Sequence, residues 1–155
     1  MRKIIIKDDK LVEDKWSTDL TDQNPGTTES EESGTLRVVS LEQWKQNKAR
    51  YLSQNGARGV ALSNVDDVLE LSDDVEFLDL ICLEFPEAGD GRGYSQAKLL
   101  RDRLGYRKEI RATGEVLTDQ LFLMRRSGIN AFELRAGQDP EASLKRLQPF
   151  SVSYQ

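Results

Sequence analysis

The chain has 155 residues, of which 32% are charged, and its formal net charge is -5. A mildly acidic chain lacks the basic footprint of a nucleic-acid-binding protein, and no apolar run approaches the roughly 20 residues that cross a bilayer. We therefore expect a cytoplasmic protein with a single domain over residues 1–155, which contacts neither nucleic acid nor membrane.

Two residue types that carry much of enzyme chemistry are scarce. The sequence has no histidine, and Cys82 is its only cysteine. Ser-His-Asp and Cys-His catalysis, intrachain disulfides and cysteine metal clusters are therefore excluded. Cys82 falls inside an apolar run, where a buried thiol usually acts as a small hydrophobe. We expect neither a cofactor nor a metal site.

The first part of the chain predicts a hairpin followed by an acidic segment. Within residues 1–15, apolar residues flank a polar turn at 8–10, which is typical of a β-hairpin. Residues 19–34 are polar and acidic and have almost no apolar side chain. Such a composition does not offset its ordering entropy, so we expect a mobile loop there. The remainder, 36–155, is expected to form a β/α core.

In that core, short apolar runs alternate with helical patterns. Ser40 is expected to cap a helix that runs from about Leu41 to Gln54, and Ser95 is expected to cap a helix that ends at Gly105. Pro140 suits the first position of the last helix. The other predicted elements are strands at Gly59–Leu62, Asp79–Phe85, Glu109–Thr113 and Ala131–Leu134, helices at Asn64–Leu71 and from Thr118 to Gly128, and an edge strand at Phe150–Tyr154.

Charged side chains follow one face of the later strands. Period-two spacing places Arg111, Glu133 and Arg135 opposite the apolar residues of their strands, and Glu84 ends the strand before them. A doubly wound sheet would bury these charges under helices at high cost. We therefore predict an α/β fold: a partial (β/α) barrel-like parallel sheet with helices on one side and an N-terminal β-hairpin. A structural ion-pair network without a ligand is the alternative interpretation of these charges.

The segment GDGRGYS, between a strand and a helix, is a candidate anion site. Glycines allow close backbone approach, a helix N-terminus attracts anions, and a guanidinium fits an oxyanion. A rigid turn uses the same residue types. The predicted ligand-binding residues at this edge of the sheet are Glu84, Asp90, Arg92, Tyr94, Ser95, Arg111, Asp119, Gln120, Glu133 and Arg135, and Tyr94 and Asp119 are candidates for acid or base catalysis.

The chain resembles the bacterial domain of unknown function 934 family. The resemblance is carried by the string LEFPEAGDGRGYSQAKLLRDRLGYRKEIRATGEVLTDQLFLMRRSGINAFEL and by the ending PFSVSYQ. The family signature falls on Phe85-Pro86, Asp90–Ser95 and Asp119–Phe122. The resemblance runs from about Lys3 to Gln155 and is weakest over 19–34. It implies a pathway context, because members are commonly encoded beside sulfite reductase and are loosely labelled as oxidoreductases. No flavin or nicotinamide fingerprint, cysteine pair or haem ligand in this chain supports that label.

Three functional hypotheses follow. The first is an accessory protein of assimilatory sulfite reduction that binds a partner or a small oxyanion at the C-terminal edge of the parallel strands. The second is a cofactor-independent barrel-type enzyme that acts on an anionic small molecule. The third is a pure docking module for sulfite reductase. A homodimer is one way to cover the strand edges that a partial barrel leaves open.

Overall fold

The computed structural model describes residues 3–18 and 37–147, and in these residues strands alternate with helices. The strands are β1 (Ile4–Lys7), β2 (Lys10–Glu13), β3 (Ser17–Thr18), β4 (Arg37–Ser40), β5 (Arg58–Leu62), β6 (Leu80–Phe85), β7 (Glu109–Gly114) and β8 (Ala131–Phe132). The α-helices are α1 (Leu41–Ser53), α2 (Gly91–Lys98), α3 (Leu121–Arg126) and α4 (Pro140–Leu147). The predicted acidic loop at 19–34 and edge strand at Phe150–Tyr154 lie outside the described residues.

All eight strands belong to one sheet, in the order β2-β1-β8-β7-β6-β5-β4-β3. Strands β3 to β8 are parallel and follow chain order, while the hairpin of β1 and β2 adds to β8 in antiparallel fashion. Right-handed crossovers between sequential parallel strands place the connecting helices α1, α2 and α3 on the same face, and all three contribute buried residues to one hydrophobic core. The predicted fold is therefore confirmed: a mostly parallel α/β sheet with an N-terminal hairpin, which is not closed into a barrel.

The hydrophobic core lies between this face of the sheet and the helices. Alternate strand residues point into it because successive side chains of a strand point to opposite faces. Ile81 pairs with Val60 on one side and with Ile110 on the other. The fully buried residues of this core include Val60, Ile81, Leu83, Ile110, Ala112 and Phe132 from the strands, and Trp44, Ala97, Leu100 and Met124 from the helices. The opposite face carries the charged residues that the period-two pattern predicted.

The sheet is strongly curled, and this follows from the short connection between β2 and β3. These two strands lie at opposite edges of the sheet, yet only residues 14–16 separate them. Four Cα steps span at most about 15 Å, whereas the edges of a flat eight-stranded sheet would lie about 34 Å apart. A Cβ at Gly59 would lie 3.2 Å from the Trp16 ring. The connection therefore crosses the face opposite the helices, which is the concave face.

Helix α2 begins earlier than predicted. Its N-cap is Asp90, whose carboxylate accepts a hydrogen bond from the Arg92 amide, so the prediction that Ser95 caps the helix was wrong. Gly93 explains the difference, because a Cβ there would lie 2.4 Å from the Phe85 ring. The glycine lets the first turn of α2 pack directly on the end of β6. The GDGRGYS segment is thus largely the first turns of a helix rather than a loop.

The remaining elements match their predictions with limits that differ by one to four residues. Ser40 caps α1 in a capping box with Gln43, as the sequence predicted. The predicted helix at Asn64–Leu71 is a single 3₁₀ turn at Val68–Leu71, and the last parallel strand covers only Ala131–Phe132. Within the described part of the chain, no helix combines the length and the apolar character that a membrane span requires.

Candidate functional site

The concave face is divided into two halves, and the half nearer the strand N-termini is filled by the chain itself. The Arg111 guanidinium donates to Glu109 at 2.9 and 3.0 Å and to Asp14, in the β2–β3 connection, at 3.0 Å. Lys7 adds a second cation 3.2 Å from Glu109. Two carboxylates therefore face two cations. We call Lys7, Asp14, Glu109 and Arg111 the ion cluster.

Three of the four members of the ion cluster are buried, and the fourth, Lys7, is 41% exposed at its edge; the two cations neutralise the two carboxylates. The side chains of Glu109, Arg111 and Asp14 are 6%, 4% and 8% exposed, which leaves no room for a ligand between them. Burial alone would lower the pKa of Arg111, but the neighbouring carboxylates outweigh burial and raise it. The guanidinium therefore stays charged and occupied. For Arg111, the structure therefore supports the alternative interpretation of the charged face, which is an ion-pair network without a ligand.

Cys82 lies beside the ion cluster on the same face. Its register partner on β7 is Arg111, and it packs with Leu80, Val38 and Trp16. Burial raises the pKa of the Cys82 thiol to about 12, although the Arg111 charge acts in the opposite direction. A thiol held protonated at neutral pH is a poor nucleophile. The structure therefore agrees with the hydrophobic role that the sequence predicted for this residue.

The half of the concave face nearer the strand C-termini is an open groove of ≈ 270 Å³. We call it the mouth groove. It is lined by the ends of β4, β5, β6 and β7 and by the residues that follow them: Ser40, Ala61, Leu62, Ser63, Asp66, Glu84, Thr113 and Gly114. The carboxyl ends of parallel strands are where ligands commonly bind in β/α folds. The groove therefore lies where the sequence predicted the site.

Glu84 is the charged residue of this groove whose carboxylate has no partner among the described residues. It is exposed, and no residue in the described part of the chain makes a hydrogen bond or ion pair with its carboxylate. Its register neighbour on β7 is Thr113. The other carboxylate, Asp66, accepts a 2.9 Å hydrogen bond from the Ser63 amide and shapes the turn after β5. None of the described residues that line the groove is basic.

Gln96 fixes the wall of the mouth groove that follows β5. Its amide nitrogen donates to the backbone carbonyls of Ser63 and Asp66, both at 2.9 Å, and the residue is only 5% exposed. Helix α2 thus holds the turn that carries two groove residues. An adjoining acidic groove contains Glu42, Asp66, Asp67 and Glu70, and Lys45 is the one cation among the described residues that line it.

The predicted anion site at the start of α2 is occupied by the chain's own carboxylate. Asp90 accepts from the Arg92 amide at 2.9 Å and from Asn64 at 2.8 Å. These two hydrogen bonds lower the pKa of Asp90. Arg92 and Ser95 are exposed on the outside of the helix. An anion at this helix end would meet a carboxylate that already satisfies the first turn.

Tyr94 and Gln120 do come together, in a place separate from the mouth groove. The Tyr94 hydroxyl donates to the Gln120 side-chain carbonyl at 2.8 Å, and burial raises the pKa of Tyr94. The Tyr94 ring packs edge-on against Phe85. This hydrogen bond joins α2 to the turn before α3. Asp119 points outward instead and pairs with Arg146 at 3.2 Å, with both side chains well exposed.

The remaining two predicted residues are engaged in surface ion pairs. Glu133 lies 2.9 Å from Lys3, and Arg135 lies 3.2 Å from Glu115. The strand order does place Arg111, on β7, between β6, which carries Glu84, and β8, which Glu133 directly follows. Its hydrogen bonds, however, go to Glu109 and Asp14. The ten predicted residues therefore lie in several separate places rather than in one pocket.

Sequence reasoning missed most of the mouth groove. Ser40, Ser63, Asp66 and Thr113 line it together with Glu84, which was predicted. Each lies at or shortly after the carboxyl end of a parallel strand, so their common position was a usable signal. The glycines and Arg92 of the GDGRGYS segment instead predicted a site at the start of α2. No group of three or more acidic or sulfur ligands that could hold a metal ion occurs in residues 3–18 and 37–147.

A sequence model of the family described as "Bacterial protein of unknown function (DUF934)" matches residues 59–155. This match covers more than half of the chain, so the protein belongs to that family. The matched part contains β5 from its second residue, β6 to β8 and α2 to α4, with the Glu84 side of the mouth groove. No curated protein matches the chain.

Proposed function

We propose that this member of the family is a non-catalytic accessory protein of assimilatory sulfite reduction that docks on sulfite reductase through the mouth groove. The observation that carries the proposal is the exposed, unpaired carboxylate of Glu84 in a groove whose described lining contains no basic residue. The pathway rests on the family resemblance described above. The groove would receive a lysine or arginine side chain of the partner.

The chemistry of the lining favours a positively charged, hydrogen-bond-donating group. Carboxylates accept hydrogen bonds, and serine and threonine hydroxyls can also accept them. Glu84 and Asp66 supply two negative charges beside the hydroxyls of Ser40, Ser63 and Thr113. A guanidinium or ammonium group would form charge-assisted hydrogen bonds with such a set.

The size of the groove also favours a side chain over a large ligand. Pockets for small molecules usually enclose about 300–1,000 Å³, and the mouth groove lies just below that range at ≈ 270 Å³. The alternative ligand, a small oxyanion, would need a cation directed at it. Arg111 is held in the ion cluster, and Asp90 occupies the start of α2. The geometry therefore favours the partner over the oxyanion.

The test measures binding of purified sulfite reductase to the immobilised protein. Glu84→Lys places a positive charge in the groove, and we expect it to weaken binding by at least about tenfold, because like charges across an interface are costly. The matched control is Glu87→Lys, an exposed carboxylate outside the groove lining. It makes the same change in net charge, and we expect wild-type affinity.

Two results would reject the proposal. The first is equal affinity of the wild type and Glu84→Lys for sulfite reductase. The second is the absence of binding by the wild type. Calorimetric titration with sulfite and sulfate tests the oxyanion alternative in parallel, and binding that is lost in Arg92→Ala would favour it. Growth of a deletion strain on sulfate then shows whether Glu84→Lys loses function in the cell.

A further inference from the structure

A second groove lies on the helical side of the molecule, between α2 and α3. It has a volume of ≈ 360 Å³ and is lined by Tyr94, Lys98, Leu123, Arg126 and Ser127. We call it the helix groove. It shares no lining residue with the mouth groove.

Hydrogen bonds between the two walls hold the helix groove in shape. Near its Tyr94 end, Tyr94 donates to Gln120 at 2.8 Å. Beyond Lys98, Arg101 donates through Nε to the Gly128 carbonyl at 2.9 Å. A groove whose walls are already joined needs little reordering when it binds, which favours affinity.

The helix groove combines exposed apolar surface with cations. Leu123 is 51% exposed and its neighbour Phe122 is 38% exposed. The guanidinium of Arg126 lies 5.8 Å from the centre of the Phe122 ring. In the described part of the chain no carboxylate lies within ion-pair distance of Lys98 or Arg126. A positive patch with an exposed aliphatic centre contrasts with the net charge of -5 of the whole protein.

Helix α2 changes its geometry at this groove. Directly after Lys98 the chain continues as a π-helical segment, Leu99–Arg103. π-Helical turns are rare, and they occur frequently at functional sites. Arg125 pairs with Asp9 at 2.9 Å. Basic residues at the C-terminal end of a helix also stabilise its dipole, and this role alone would account for the presence of Arg126. The dipole does not account for the exposed Leu123 or for the irregular turn.

We propose that the helix groove is a second docking surface, and that it binds a short acidic segment of a partner protein in which carboxylates alternate with apolar side chains. The carboxylates would pair with Lys98 and Arg126, and an apolar side chain would cover Leu123. Charge complementarity selects this occupant. A nucleic acid fits less well, because the protein as a whole carries a net charge of -5, which repels phosphates.

The test is a selection from a random-peptide library on the wild-type protein, followed by affinity measurements on the peptides recovered. We expect the recovered peptides to be rich in aspartate and glutamate with at least one aliphatic or aromatic residue. Their affinity should fall by at least about tenfold in Lys98→Glu/Arg126→Glu and in Leu123→Ser. The matched controls are Lys10→Glu/Lys145→Glu, which reverses two exposed cations elsewhere on the surface, and Leu69→Ser, which changes a leucine that is 39% exposed.

Circular dichroism and urea unfolding establish that each variant is folded. If the double charge reversal does not fold, Lys98→Gln/Arg126→Gln tests the same contacts with a smaller loss of affinity expected. Recovery of peptides without acidic residues would overturn the proposal, and so would acidic peptides that bind the variants as well as the wild type. Binding of a single-stranded oligonucleotide at this groove, with no acidic peptide recovered, would also overturn it.

Discussion

Along β6 and β7 the concave face carries charge at both ends, and the two ends differ in what surrounds that charge. Near the strand N-termini, Arg111 is enclosed by Glu109 and by Asp14 from the β2–β3 connection. Near the strand C-termini, Glu84 faces an open groove and has no partner in the described residues. A charged residue on a strand therefore indicates a binding site only where the chain leaves its charge unsatisfied.

The largest expected effect of a substitution on stability is in the half of the concave face that holds the ion cluster, which we call the closed half; the half with the mouth groove is the open half. Arg111→Met removes the guanidinium and leaves the carboxylates of Glu109 and Asp14 buried. Breaking a buried ion pair in this way typically costs about 3–5 kcal/mol. We expect a loss of that size in the free energy of unfolding, measured by urea denaturation.

Two companion variants sharpen this prediction. Arg92→Met makes the same substitution at an exposed position, and we expect a change within about 0.5 kcal/mol. Arg111→Met/Glu109→Gln also removes one of the two buried carboxylate charges that lose their guanidinium partner. It should recover part of the lost free energy of unfolding. If Arg111→Met and the wild type have the same midpoint of urea unfolding, the ion cluster does not stabilise the fold as we propose.

A smaller effect is expected at the rim of the open half. Ser40 lines the mouth groove and also caps α1, with its hydroxyl accepting from the Gln43 amide at 3.1 Å. Loss of such a cap typically costs about 1 kcal/mol. Ser40→Ala should therefore destabilise the protein by about that amount, while Ser40→Asp, which can also cap the helix, should not. Equal stability of Ser40→Ala and the wild type would contradict this.

The smallest effect on stability is expected at Glu84 itself. Glu84→Gln keeps the shape of the side chain and removes a charge that contacts nothing in the described residues. We expect its free energy of unfolding to stay within about 0.5 kcal/mol of the wild type. A loss of free energy of unfolding as large as that of Arg111→Met would show that Glu84 has a structural partner. The two halves would then not differ in whether their charges are paired.

The fold was largely predictable because its signals are local. The Ser40 capping box, the hairpin turn and the period-two alternation of β7 all lie within a few residues along the chain. A charged face on sequential parallel strands is compatible only with helices on the opposite side. The charged face therefore predicted a sheet with helices on one side only.

The site was less predictable because its decisive contacts span the chain. Asp14 reaches Arg111 across 97 positions in sequence, and only the curl of the sheet brings them together. The start of α2 depended on the contact between Gly93 and Phe85, which no helical period reveals. The sequence therefore identified which residues are charged. Only the structure showed which of them are already paired.

The most direct test of the difference between the two halves is a comparison of thiol labelling at two positions on this face. Cys82 probes the closed half. Thr113→Cys, made in a Cys82→Ala background, probes the mouth groove, which Thr113 lines. At about pH 8 we expect the new thiol in the groove to react nearly as fast as a free cysteine.

Cys82 should react about a thousandfold more slowly, because burial raises its pKa to about 12 and leaves little thiolate. Since the raised pKa shifts ionisation to higher pH, the Cys82 rate should keep rising beyond pH 9, where a free thiol levels off. Labelling of the two positions at rates within about tenfold of each other would contradict the account, because the closed half would then be open to solvent.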